Sequence, residues 1–210
     1  MSFQLPEPQP NQAYVEVSAL EAGIITMPLM IVIQGAGPTD TSVIPSLAFS
    51  IRHKQSGEHL MFDLGVRRDT EALAPKTQWL IENHMPVQVP QTVEESLKKG
   101  GLNPDEVQTV ILSHLHFDHV GRPESFTNAK FVVGPGAREL LEKGFPGNPE
   151  SDILTSTTPL DEKRSRFLTD EDFNVSIGPF PRAHDYFGDG SMYVVDADGH
   201  LAGDVVVFVV

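Results

Sequence analysis

The chain has 210 residues, 40 % hydrophobic and 21 % charged, which fits one globular domain with a substantial core. Its formal net charge of −14 argues against nucleic acid or an anionic membrane as partner. It contains no cysteine, which excludes disulfides, thiolate metal sites and cysteine nucleophiles.

Residues 1–14 read as an extended lead-in carrying Pro6, Pro8 and Pro10. This start lacks the apolar run of a signal peptide, and no apolar stretch approaches bilayer length, so a cytoplasmic location is expected. Met27–Ile33 predicts a strand that ends at the turn Gly35-Ala36-Gly37-Pro38. Val43–His53 predicts a second strand, and the turn Gln55-Ser56-Gly57-Glu58 leads into a third, His59–Leu64. Residues 74–90, with Pro75, Pro86, Pro90 and the single tryptophan, Trp79, read as an irregular loop. That loop is either a substrate rim or a surface segment with Trp79 packed inward.

Thr92 and Glu95 form a capping box, Val93 and Leu97 share one helix face, and Gly100 ends that helix. After the turn Asn103-Pro104-Asp105, Val107–Leu112 reads as a buried strand, and Ala129–Val133 as the next one. Pro135 opens a helix to about Lys143, closed by Gly144. Strands alternating with helices predict an α/β fold. The basic run Lys163-Arg164-Ser165-Arg166, flanked by Asp161, Glu162, Asp170, Glu171 and Asp172, reads as a solvated charged loop. Phe173–Ile177 and Ser191–Asp196 read as strands, and Val205–Val210 is wholly apolar.

The chemistry is concentrated where Val107–Leu112 runs out. Three of the eight histidines fall within His114-Leu115-His116-Phe117-Asp118-His119. His114 and His116 are two apart, so in extended backbone both imidazoles point to one side and converge on one ion. Asp118 and His119 are adjacent and diverge, which suggests a second, neighbouring position. Imidazole with carboxylate suits zinc.

The run Ser113–Gly121 resembles the histidine-rich motif of the metallo-β-lactamase superfamily. Leu60-Met61-Phe62-Asp63-Leu64-Gly65 is similar to the family's upstream strand ending in aspartate, and Asp196-Ala197-Asp198-Gly199-His200 to its downstream turn with a third histidine. Gly134-Pro135-Gly136 and Phe187-Gly188-Asp189-Gly190-Ser191 are similar to the branch of acyl-homoserine lactonases and fungal lactam or lactone hydrolases. The resemblance covers residues 15–210 and implies a four-layer αβ/βα sandwich with an incomplete second half. It implies a first metal on His114, His116 and His200, and a second held in part by Asp118 and His119. Asp63 would support the loop around the metals without touching an ion.

Two family ligands, a bridging aspartate and a last histidine, lie further downstream in the resemblance than the ten residues that follow His200 here. Asp198 stands where the family usually has proline. Asp204 stands where a second histidine often does, close to His200 for a bridging ligand. The implied activity is zinc-dependent opening of a small-molecule lactam or lactone, in xenobiotic or secondary-metabolite breakdown. Asp118 would orient the attacking water and carry its proton. One zinc is expected here, and two in a complete member. The alternative is a shortened relative with impaired or no turnover. A nucleic-acid-processing member conflicts with the charge, and an oxygen-reducing di-iron member has glutamate where His116 stands. A glutathione-thioester hydrolase fits the motif too. The apolar Val205–Val210, with no strand after it to cover its edge, predicts self-association.

Overall fold

The computed structural model describes residues 10–159 and 163–210. Pro6 and Pro8 of the expected lead-in, and Asp161 and Glu162 beside the basic run, lie outside the described residues.

The chain opens with a long antiparallel pair, β1 (Val15–Pro28) and β2 (Thr41–His53), which runs from Val15 opposite His53 to Pro28 opposite Thr41 with a register shift between Glu21 and Ile24. The expected strand at Met27–Ile33 is therefore corrected. Pro28 has no N–H for a ladder, and Leu29–Ile31 turns as a 3-10 segment instead. The real strand lies upstream, where Val15, Val17 and Ala19 alternate with Glu16 and Ser18. Met30, Ile31, Val32 and Ile33 are left more than half exposed.

Next come β3 (His59–Phe62), α1 (Pro75–Asn83) and β4 (Val87–Gln88). The irregular loop expected over 74–90 is thus mostly a helix and a short strand. Pro75 occupies the first helical turn, where a missing N–H costs nothing, and so starts the helix rather than breaking it. Trp79 is 57 % exposed, which removes the inward-packed reading.

The capping box behaves as expected in α2 (Val93–Lys99). Glu95 N donates to Thr92 Oγ1 at 3.3 Å, Thr92 N donates to Glu95 Oε2 at 2.9 Å, and Val93 and Leu97 are buried. Then follow β5 (Thr109–Ile111), α3 (Phe117–Val120), β6 (Lys130–Val133) and α4 (Ala137–Glu142). The last strands are β7 (Ser165–Phe167), β8 (Val175–Ile177), β9 (Phe180–Asp185), β10 (Met192–Asp196) and β11 (Val205–Val209). The run Lys163–Arg166 is corrected as well, since it enters β7. Arg164 donates to the carbonyls of Phe126 and Ala129 at 3.0 and 3.1 Å, so it ties the sheet edge rather than standing in solvent.

Seven strands form one sheet in the order β4-β1-β2-β3-β5-β6-β7, and four form another in the order β11-β10-β9-β8. The first is antiparallel up to β3 and parallel from β3 to β7. Strand alternation sorts its side chains between two cores. Met61, Val110, Phe131 and Val133 face a core shared with Val93 and Leu97 of α2. Leu60, Ile111 and Val132 face the second sheet, against Met192, Val194 and Val205. Helices, first sheet and second sheet are thus stacked layers of the expected α/β sandwich. No α-helix follows α4 among the described residues, and none is long and apolar enough to cross a membrane. Among the described residues β11 pairs with β10 and no other strand, and its Val206 and Val209 are exposed.

Candidate metal centre

The site forms where parallel strands of the first sheet end beside the turn between β10 and β11. β5 stops at Ile111, and the backbone then crosses to the second sheet, where Val205 N donates to Ser113 O at 2.9 Å. His116 sits in extended conformation just before α3, and α3 holds Asp118 and His119 in one turn. The turn carrying His200 is closed by Asp204. Its Oδ2 accepts from His200 N and Leu201 N, both at 2.8 Å, while its Oδ1 is buried without a partner. Asp204 therefore shapes the turn of His200 and is not among the converging ligand atoms.

His114, His116 and His200 converge, their ligating nitrogens all within 4.8 Å of one another. His200 Nε2 lies 2.9 Å from His116 Nδ1, and the two rings stand at 71°. Burial, then the neighbouring His119 and His116, push His114 down to about 3. Burial and then His200 lower His116 too. Both imidazoles are neutral at neutral pH and keep a lone pair for a cation. Tetrahedral zinc spaces its imidazole nitrogens by roughly 3.3 Å, an adjustment within reach of small side-chain rotations. The donor set fits the metal implied by the family.

Asp118 and His119 stand beside this trio rather than in it. His119 Nε2 is 3.5 Å from Asp118 Oδ2, and His119 Nδ1 is 2.7 Å from Asp63 Oδ2. Burial opposes a charge on His119, but hydrogen bonds that its ring N–H groups donate to Asp118 and Asp63 overcome it and raise the group to about 10. Burial likewise opposes the charge on Asp118, and His119 outweighs it, holding the carboxyl below its usual range. Ser46 Oγ donates to the Asp118 carbonyl at 2.5 Å and anchors α3 to β2.

Asp63 is the knot of the loop. Its φ of 59° is left-handed, a conformation aspartate tolerates better than most residues. Held there, its two oxygens accept from Ser113 N and Ser113 Oγ, each at 2.7 Å, and it reaches His119 as well.

Above the histidines lies a cleft lined by Met27, Ile31, Val32, Leu80, Met85 and Phe117. Asp152 and Thr77 also line it, and Thr77 Oγ1 donates to the Asp152 carbonyl at 3.0 Å. Sequence reasoning missed Asp152, Thr77 and Ser46, because nothing local marks them. Ile31 and Val32 carried a signal, an apolar run with no sheet partner. The segment Phe187–Ser191 packs elsewhere: Phe187 stacks on buried His53 at 4.0 Å, and Asp189 Oδ2 lies 2.9 Å from His53 Nε2.

Fold and residues together define a protein class. Residues 41–209 match the model of the metallo-beta-lactamase superfamily, and the chain belongs to that superfamily. Among curated relatives it is 38 % identical over 153 residues to the cytochrome P450 monooxygenase mpaDE of Penicillium roqueforti, covering 70 % of this chain and 18 % of that one. It is 37 % identical over 166 residues to the metallo-hydrolase mfmC of Annulohypoxylon moriforme, covering 76 % and 42 %. It is 34 % identical over 168 residues to gamma-lactamase FDB1 of Fusarium pseudograminearum, covering 75 % and 39 %. The chain spans less than half the length of each of these three relatives. Among solved structures it shares the fold of a Bacillus thuringiensis AiiA mutant with N-decanoyl-L-homoserine bound at the active site. The TM-score there is 0.70 at 16 % identity, covering 94 % of this chain and 71 % of that one. It shares it also with AidC, a dizinc quorum-quenching lactonase, at TM-score 0.60 and 15 % identity, covering 100 % and 70 %.

Proposed function

We propose that this chain is a zinc-dependent hydrolase that opens a cyclic amide or ester of a small molecule, in the breakdown of xenobiotics or secondary metabolites. The observation that carries this reading is the convergence of three histidines on the floor of an apolar cleft, with Asp118 beside them. The relatives named gamma-lactamase and metallo-hydrolase support it. His114, His116 and His200 would hold one zinc tightly, and Asp118 with His119 offer only part of a second position. Bound there, zinc supplies Lewis acidity and activates water near neutral pH.

The chain's own groups account for the remaining work. Asp118 accepts the proton of the attacking water and returns it to the ring nitrogen or oxygen that leaves. The pair with His119 keeps Asp118 ionised and therefore able to accept that proton. Asp63 orients the His119 ring through its Nδ1. The apolar walls seat the uncharged part of the substrate.

The test is a panel of lactams and lactones offered to the zinc-loaded chain, with elemental analysis after dialysis. The expected result is one retained zinc and ring opening that stops on chelation. His116→Ala should lose the metal, and Asp118→Asn should keep metal while losing most of the rate, on the order of 10²-fold or more. Zinc retention without any turnover would instead favour a metal-binding relative with no activity. Turnover that survived both chelation and Asp118→Asn would refute the mechanism.

A further inference from the structure

This inference rests on the ring-opening reading and concerns the charge of the substrate. The cleft over the histidines has a volume of about 230 Å³, below the roughly 300–1,000 Å³ of sites for drug-sized ligands. A compact ring fits it. No lysine or arginine is among the described residues that line it, whereas Asp118 and Asp152 both are. The Asp152 side chain is exposed at the cleft, and its backbone is pinned to α1 by Thr77.

A divalent ion held by His114, His116 and His200 would bring two positive charges, and the carboxylates of Asp118 and Asp152 on the same cleft would offset them. No lysine or arginine among the described lining residues is there to pair with a carboxylate on the substrate. The surrounding protein, at net charge −14, repels an approaching anion further.

We propose that Asp152 is a charge filter at the mouth of the cleft: the chain takes small, uncharged lactams or lactones with an apolar flank and rejects rings that carry a carboxylate. Asp152 selects and does not react.

Two matched pairs of probes test it. Turnover by the zinc-loaded chain is compared for 3,4-dihydrocoumarin and its 6-carboxylate. Binding to the metal-free and zinc-loaded chain is measured by calorimetry for 3,4-dihydro-2-quinolinone and its 6-carboxylate. The parent should favour each neutral ring by about tenfold or more, the scale of one like-charge contact in partly screened surroundings. Added salt should narrow the preference. Asp152→Asn should narrow it, and Asp152→Lys should reverse it, through the KM of the anionic lactone. Equal binding and equal opening of both members, in parent and variants, would overturn the filter and leave ring opening intact. Selective binding of the neutral lactam with no opening of either lactone would overturn the hydrolase reading and keep the filter. Binding of neither lactam would overturn the filter.

Discussion

Gly134 touches no histidine, yet Gly134→Ala should damage the metal centre. A methyl at Gly134 would lie 2.1 Å from the Gly203 carbonyl oxygen, 2.8 Å from its carbon and 3.0 Å from Val205 Cγ1. Gly203 is itself left-handed at φ +84°, and a methyl there would lie 2.3 Å from the Pro135 oxygen. The turn after β6 and the turn of His200 thus pack backbone against backbone, with no flexible side chain between them to yield. Carbon and oxygen repel steeply below about 3.2 Å, so one turn must retreat by about 1 Å. Overpacking of this kind costs about 1–3 kcal/mol of stability. The retreat also shifts His200, one of the three converging histidines. Disturbing what positions a ligand weakens metal affinity by roughly 10–100-fold, or about 1.4–2.7 kcal/mol. The assay is zinc titration against a competing chelator, with melting curves in the presence and absence of zinc. Gly199→Ala is the control: it adjoins His200, but its new methyl would meet nothing closer than the Ala197 oxygen at 4.0 Å. A Gly134→Ala protein with the parent's zinc affinity would show that this backbone contact does not place His200.

Other expectations follow from the same loop. Asp63→Ala leaves the half-buried Ser113 N–H without its acceptor and should cost about 2 kcal/mol in urea melts, whereas a loss under 1 kcal/mol would show that water replaces the carboxylate. His119 stands at about 10 in the folded metal-free chain against an ordinary 6.5, so its proton adds stability that is fully present below 6.5 and is lost as pH rises through 10. Melting temperature without metal should therefore fall across that window, and His119→Asn should flatten the fall; an unchanged slope would assign it to other groups. The outer edge of β11, which meets no further strand among the described residues and exposes Val206 and Val209, should make the 210-residue chain self-associate in analytical ultracentrifugation. A monodisperse monomer at tens of micromolar would refute that.

Local chemistry was legible in the residues alone. Thr92 and Glu95 cap α2 because a hydroxyl and a carboxylate three residues apart satisfy two orphan N–H groups wherever they occur. His114 and His116 converge because two residues in extended backbone share a side. The chain's longest apolar runs divided on the same principle. Val205–Val209 became a strand because β10 offers it a ladder, whereas Met27–Ile33 broke at Pro28 and left its hydrophobic residues lining a cleft. Apolar composition alone does not distinguish the two, since pairing is a property of the partner strand.

Tertiary structure decided the rest. His200 reaches His116 across 84 residues because Val205 N bonds to Ser113 O and two glycines let the turns meet. Asp152 reaches the cleft because Thr77, on a helix that three prolines had disguised as a loop, holds its carbonyl. The basic run at Lys163–Arg166 joined a sheet because the carbonyls of Phe126 and Ala129 needed a donor that Arg164 supplies. Sequence spacing determines which groups share a face over a few residues. Which distant faces meet depends on the closing of the sheets, and that is settled only when the whole core packs.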